Sequence, residues 1–325
     1  MTRFGRIVVT AVVAVVLIGL TLLAAHVLRG PRGGPPEQPP ATVETPEAPP
    51  AEDGEAPAEP PPAEPPEAGV VEEETTLPSP AEPSGVAEGA ELARTALAMV
   101  RDRPVAAQKR LSEAVRAGVG GDLAVRVHQA VRALADRLQF SGTCRPGDRY
   151  SRSYTVQRGE TLSGIGQRFL IPYPLVMRLN GLETSAIRAG QTLKVLQGPV
   201  HLEVIKSRYE LRAWLDEVCL RVYPVALGTN NSTPEGTFNV KNKVVNPPYQ
   251  PQHKPRSAYR AAGAPDNPLG TRWIDLGNHY GIHGTIEPET IGHEVSEGCI
   301  RMHNRHAEEV FDLVVVGASK VQIRP

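Results

Sequence analysis

Seventeen of the chain's 32 prolines fall between Pro31 and Pro83. That block most limits what the chain can fold into. Residues 30–88 are Pro, Glu and Ala with almost no large apolar side chain, too little to offset chain entropy by burial. The expectation is a disordered linker, extended by proline and by like-charge repulsion, with a reach on the order of 170 Å at about 3.1 Å per residue. The segment 31–88 holds 14 acidic residues against Arg32 alone, whereas 89–325 carries 31 basic and 22 acidic side chains. The whole-chain charge of −1 therefore describes neither part. The basic excess is too diffuse to argue for nucleic-acid binding. Three cysteines, Cys144, Cys219 and Cys299, are too few for a disulfide scaffold.

Ahead of the linker, Ile7 to Leu28 is a nearly unbroken apolar run. About 20 such residues span a bilayer core, and signal-peptide apolar regions are usually shorter. Residues 1–29 are read as a cytoplasmic end and transmembrane anchor, amino end inside, with the rest of the chain in the periplasm or cell wall. Cleavage near Leu23–Ala24–Ala25, giving a secreted protein, is the other reading. After the linker, residues 89–140 show apolar positions at helical spacing: Leu92, Ala96 and Met99; Leu111 and Val115; Val127, Val131, Leu134 and Leu138. Pro104 fits a helix start, Gly118–Gly121 a break and Asp122 an N-cap. Two or three short helices forming a spacer are expected, with no chemistry in them.

Residues 153–197 alternate like a strand at Tyr154-Thr-Val156, turn through Gln157-Arg-Gly-Glu-Thr-Leu162, and form two short helices separated by Pro172 and Pro174. A turn and strand follow through Ile187, Gly190-Gln191, Leu193 and Val195. This strand–helix–helix–strand order, with its Y-x-V-x-x-G-E-T-L opening, Asn180 and its I-x-x-G-Q-x-L close, resembles the LysM family. The resemblance implies a βααβ module that binds N-acetylglucosamine-containing glycan, here peptidoglycan. It implies a groove at Gly159, Glu160, Thr161, Leu162, Ile187, Arg188 and Gly190.

From residue 200 to 325 the pattern is mainly β. Runs at His201–Ile205, Leu211–Leu215, Val218–Leu227, Thr237–Val240, Trp273–Leu276, Tyr280–His283 and Lys320–Arg324 are bounded by turn residues. One helix is expected from His303 to Val316. A proline-rich loop over 247–268 is long enough to be functional. Within 279–306, His283-Gly-Thr285 and Ser296-Glu-Gly-Cys-Ile-Arg-Met302 stand out. A cysteine nucleophile needs a base, amides to hold an oxyanion and an open approach. His283 can be the base, and the amides of Gly298 and Cys299 can face one oxygen. The alternatives are an inert buried thiol, or zinc on Cys299, His283, His303 and His306. The zinc reading lacks the usual tight ligand pair.

Together with Tyr223-Pro-Val-Ala-Leu-Gly228, Thr233-Pro-Glu-Gly-Thr-Phe238 and Asn267-Pro-Leu-Gly270, these motifs resemble the YkuD-type L,D-transpeptidase catalytic domain. The resemblance implies a β-rich sandwich with Cys299 as nucleophile and His283 as base. It implies that the Gly284 carbonyl orients the imidazole, that Gly298 serves the oxyanion site, and that Ser296, Arg301 and Tyr280 support the substrate. No cofactor and no metal are implied. The reaction implied is a 3→3 cross-link between peptidoglycan stem peptides. Water or a protein lysine as acceptor, or an inactive glycan-binding scaffold, are the alternatives. Glu297 departs from the His or Lys of many members, and an acidic neighbour disfavours the thiolate.

Overall fold

The computed structural model describes residues 84–251 and 255–325. The expected anchor and nearly all of the expected linker lie outside them. Among the described residues no helix is long and apolar enough to cross a membrane.

Helix α1 (Ser84–Met99) begins five residues inside the segment expected to be linker, just after the last proline of the block. Helix α2 (Pro104–Ala117) opens on Pro104, at a position where a missing N–H costs nothing. It ends at Gly118, whose φ of 98° an L side chain resists. In α3 (Gly121–Leu138) the N-cap is Gly120, not Asp122, which instead sits in the first turn where its charge still suits the helix dipole. Gly89 lets α1 approach the end of α2: an added Cβ would lie 2.1 Å from the Gly118 carbonyl oxygen.

These helices are not a free-standing spacer. Ala93, Ala96, Leu111, Val115, Val127, Val131 and Leu134 form one buried cluster with Trp214 and Cys219 of the carboxy-terminal module. Ser112 Oγ accepts from the Cys219 amide at 2.9 Å, and the Arg116 guanidinium stands 4.5 Å from the Trp214 ring centre. The amphipathic faces legible in the sequence are thus spent against a β-sheet rather than only on one another.

The next module has β1 (Ser151–Thr155), α4 (Leu162–Phe169), α5 (Tyr173–Leu179) and β2 (Thr192–Leu196), with β1 and β2 antiparallel. Asn180 donates to the Val176 and Lys194 carbonyls and accepts from the Lys194 amide, tying α5 to β2. Lys194 Nζ in turn donates to the carbonyls of Leu138, Ser141 and Thr143 at 2.7–2.8 Å, capping the end of α3. A cation there meets the negative end of the helix dipole.

The last module is built on β3 (Val200–Ile205), β4 (Glu210–Leu215), β5 (Val218–Pro224), β6 (Leu227–Gly228), β7 (Gly236–Asn239), β8 (Asn242–Val245), β9 (Arg272–Gly277), β10 (Tyr280–His283), β11 (Glu294–Ser296), β12 (Ile300–Arg301), helix α6 (Asn304–Phe311) and β13 (Lys320–Arg324). One sheet has the order β5-β4-β3-β13-β7, a second β12-β10-β9-β8, and β6 pairs β11. Leu202, Val204, Leu211, Ala213, Val321 and Ile323 of the first sheet and Ile274, Ile282 and Ile300 of the second share one core. The run expected as a single strand from Val218 to Leu227 divides after Pro224, which has no N–H to give a ladder. The expected helix to Val316 stops at Phe311. Lys243 Nζ takes the carbonyls of Phe311 and Val314, and the following Leu313 and Val314 turn into the core.

Candidate active site

Strands β9 and β10 are joined through Asn278 and His279, both in the left-handed region at φ 52° and 64°. Two such residues make the hairpin turn whose twist matches the strands, and a histidine is an unusual occupant. Strand β12 runs parallel beside β10, with Ile282 opposite Ile300 and His283 opposite Arg301. One step back sets Cys299 beside Gly281. Because side chains alternate along a strand, Cys299 and His283 project from the same face of the pair.

His283 is 4% exposed, and its Nδ1 lies 2.6 Å from the Gly284 carbonyl oxygen. A carbonyl only accepts, so Nδ1 carries the proton and Nε2 keeps a lone pair. Burial pushes the imidazole down to about 4; the Gly284 carbonyl opposes that and Arg301 adds to it. The Trp273 ring stacks on the imidazole, 5.7 Å between centres and 27° between planes. The same indole covers Gly281, where an added Cβ would come within 2.5 Å of it.

The Cys299 thiol donates to the His279 carbonyl at 3.5 Å. Burial raises its pKa; the Gly281 amide and Arg301 pull it down, and Glu297 pushes it up. Glu297 thus acts in the expected direction, as the smallest of these causes. The resting pair is a neutral thiol and a neutral imidazole.

Ser296 Oγ donates to the Cys299 carbonyl at 2.6 Å and accepts from the Gly298 amide at 3.2 Å. The Gly298 amide, expected at an oxyanion, is engaged within the loop by the Ser296 hydroxyl. Gly298 is required for another reason. Its φ is 127°, and a Cβ there would lie 2.7 Å from the Tyr280 ring and 3.1 Å from the Ser232 carbonyl oxygen. Tyr280 packs on that loop. Arg301 is paired with Glu287 at 3.0 Å, so its guanidinium braces the segment after Thr285. A cavity of about 630 Å³ opens onto Cys299, walled by Pro247, Tyr249, Pro251, Leu269, Trp273 and Glu297. The proline-rich loop forms much of that wall.

His303 and His306 lie against each other, ring centres 5.3 Å apart, and His306 packs on Tyr223. Among the described residues no group of three or more His, Cys, Asp or Glu side chains is arranged to hold a metal ion. All three cysteines are free thiols.

In the βααβ module, the Gly190 amide donates to the Val156 carbonyl and the Val156 amide to the Gln191 carbonyl, both at 2.9 Å. This joins the 187–191 loop to the strand end that leads into the 157–161 turn. Gly159 and Gly190, φ 84° and 83°, face open space. Ile187 and Arg188 line a depression of about 690 Å³ with Thr184, Ala186, Ala189 and Gln191. The other three side chains are occupied by the fold. Glu160 accepts from the Gln157 amide and Tyr154 hydroxyl and pairs with Arg168 at 2.7 Å. Thr161 Oγ1 caps α4 through the Gly164 amide, and Leu162 is core at 1% exposure. For a ligand, Leu162 has only its backbone to offer.

Trp273 and His279 were not among the expected site residues. Trp273 reads as one more strand aromatic, and the left-handed His279 breaks the turn's usual Asn-Gly signature.

A buried histidine with its Nδ1 held by a carbonyl thus stands on the same strand-pair face as a cysteine that opens onto a cavity. Residues 199–323 match the L,D-transpeptidase catalytic domain family (YkuD), and residues 154–196 the LysM domain. The putative L,D-transpeptidase YqjB of Bacillus subtilis is 43% identical over 129 residues, 38% of this chain and 70% of that protein. The putative L,D-transpeptidase YkuD of the same organism is 32% identical over 174 residues, 51% of this chain and 94% of that protein. An L,D-transpeptidase structure from Mycobacterium smegmatis overlaps 42% of this chain and 64% of its own at 19% identity and TM-score 0.34, too slight to add weight. The chain belongs to the YkuD L,D-transpeptidase family, with a LysM domain and a short helical region ahead of a mainly-β catalytic domain.

Proposed function

We propose that the protein is a cysteine-dependent L,D-transpeptidase that cross-links peptidoglycan stem peptides. The observation that carries this is the shared strand-pair face of Cys299 and His283, with Nδ1 held by the Gly284 carbonyl. Because both groups rest neutral, the thiol proton passes to Nε2 as sulfur attacks the carbonyl of the third stem residue. The Cys299 amide receives the developing oxyanion. The C–N bond to the terminal D-Ala breaks, and the imidazolium returns its proton to that amine. A second stem's amine then attacks the thioester, gives up its proton through His283 and restores the thiol.

The apolar cavity holds the donor stem, and the exposed Gly159 and Gly190 turns with Ile187 and Arg188 hold glycan. Ile7 to Leu28 anchors the chain in the cytoplasmic membrane, and the acidic linker lets the enzyme reach the wall. For these last two the support is the sequence alone.

Purified sacculi incubated with the full-length protein, digested and read by mass, test the reaction. The wild type is expected to add 3→3 cross-links and release D-Ala, and Cys299→Ser to do neither. Release of D-Ala without cross-links would make water the acceptor and the enzyme a carboxypeptidase. Activity retained by Cys299→Ser would remove the mechanism altogether.

A further inference from the structure

The His283 ring is only as well aimed as the Gly284 carbonyl that holds it, and that carbonyl sits on a loop beyond the end of β10. Gly284 C=O and Thr285 N–H are two ends of a single planar peptide group. Fixing the N–H end therefore fixes the direction of the C=O end. The Thr285 amide donates to Asn304 Oδ1 at 3.1 Å. Asn304 Nδ2 donates to the Thr285 carbonyl at 3.0 Å, so the following peptide is held as well. Asn304 Oδ1 also accepts from the Thr271 amide at 3.2 Å, joining the loop to the start of β9. Asn304 is the first residue of α6, a helix anchored in the core through Ala307 and Val310. Two glycines leave the volume its amide fills: an added Cβ would come within 2.0 Å of Oδ1 from Gly284 and 2.1 Å from Gly270.

We infer that Asn304 is a positioning residue for catalysis: by clamping the Gly284–Thr285 peptide it keeps His283 in the tautomer that leaves Nε2 free to take the Cys299 proton. The inference rests on His283 being the base. Its chemistry is nonetheless separate from the reaction, because the tautomer can be read without turnover. Without the clamp the peptide can rotate, Nδ1 loses its fixed acceptor, and both neutral tautomers populate. The acylation rate then falls with the fraction of correctly aimed imidazole, while the cavity that holds the stem is untouched. The loss should fall on kcat rather than KM.

The test compares wild type with Asn304→Leu, which removes all three hydrogen bonds at similar volume, and Asn304→Asp, which keeps the two acceptor contacts. Imidazole ¹⁵N chemical shifts report the tautomer, and single-turnover acylation by a tetrapeptide donor reports the rate. The expected result for Asn304→Leu is a rate loss of about 10- to 100-fold, in the range of other supporting-shell losses, with mixed tautomers and KM within about twofold. Asn304→Asp is expected to keep the Nδ1–H tautomer and recover most of the rate. If Asn304→Leu does not fold, Gly284→Ala displaces the same amide from the opposite side and should give the same tautomer mixture and rate loss. An unchanged tautomer in the folded Asn304→Leu, or in Gly284→Ala where that variant replaces it, overturns the inference. So does a rate loss that Asn304→Asp does not relieve. If His283→Ala keeps full activity, the proposed function fails whatever the tautomer does.

Discussion

Burial of His283 makes a pH prediction with a definite sign. Its imidazole titrates near 6.5 in an unfolded chain and near 4 in the fold. The unfolded state therefore takes up the proton first as the pH falls. The stabilisation is complete above about pH 6.5 and is lost progressively between there and about pH 4. At 1.36 kcal/mol per pH unit, the loss between pH 7 and pH 4 is roughly 3 kcal/mol. Solvent screens little of it, because the side chain is 4% exposed. Urea denaturation of wild type and His283→Gln across pH 4–7.5 isolates the contribution. His306, His128 and His201, all held below their usual value by burial, titrate in both proteins and cancel in the difference. Expected is a wild-type stability that falls toward that of the glutamine variant by about 3 kcal/mol on acidification. The wild-type acylation rate should keep its lower limb near pH 4 to 5 rather than 6.5. Parallel stability curves would refute the reasoning, since they would mean the imidazole is not held neutral by the fold.

Two further outcomes follow from burial elsewhere in the fold. Cys219 is fully buried with its thiol pushed up to about 12, whereas Cys299 opens onto the cavity. A thiol reagent at neutral pH should therefore abolish activity by modifying Cys299 and leave Cys219 unmodified until the protein unfolds; labelling of Cys219 in the folded enzyme at a comparable rate would count against the fold. Leu111, 0% exposed in the cluster that docks the helices on the sheet, should cost roughly 2–5 kcal/mol as Leu111→Ala by chemical denaturation; a loss under about 1 kcal/mol would mean the helical layer is only loosely attached.

What the sequence made legible was short-range. The strands Tyr280–His283 and Lys320–Arg324 end where their patterns end, because alternation and flanking turn residues act within a few positions. Pro104 and Gly118 bounded α2 for the same reason. The misses were long-range. Nothing near Phe311 announces that Lys243, 68 residues away, will take its carbonyl and end the helix. Trp273 is paired with His283 by strand register, and Asn304 reaches back 19 residues to Thr285. The contact of the Gly298 amide is local, yet was not foreseen. An oxyanion role is one use for an N–H next to a nucleophile, and a serine two residues earlier offered another.

The modules that motifs separate are not separate bodies energetically. Leu196 at the end of β2, Val200 at the start of β3, Ala135 of α3 and Val310 of α6 belong to a single buried cluster. A boundary drawn at residue 199 cuts through that core. Helix α6 is where the three parts meet. Arg132 of α3 reaches Glu309 at 2.9 Å, Arg178 of the LysM module reaches Asp312 just past the helix at 2.8 Å, and Tyr223 of β5 donates its hydroxyl to Glu309 at 2.8 Å. The two ion pairs are 37–50% exposed, so each contributes little by itself. Tyr223 is 1% exposed, and its paired hydroxyl and buried ring contribute more. The apolar face of α6 and this tyrosine, rather than the surface charges, therefore fix the helix, and the helix begins with the residue that clamps the peptide beside His283.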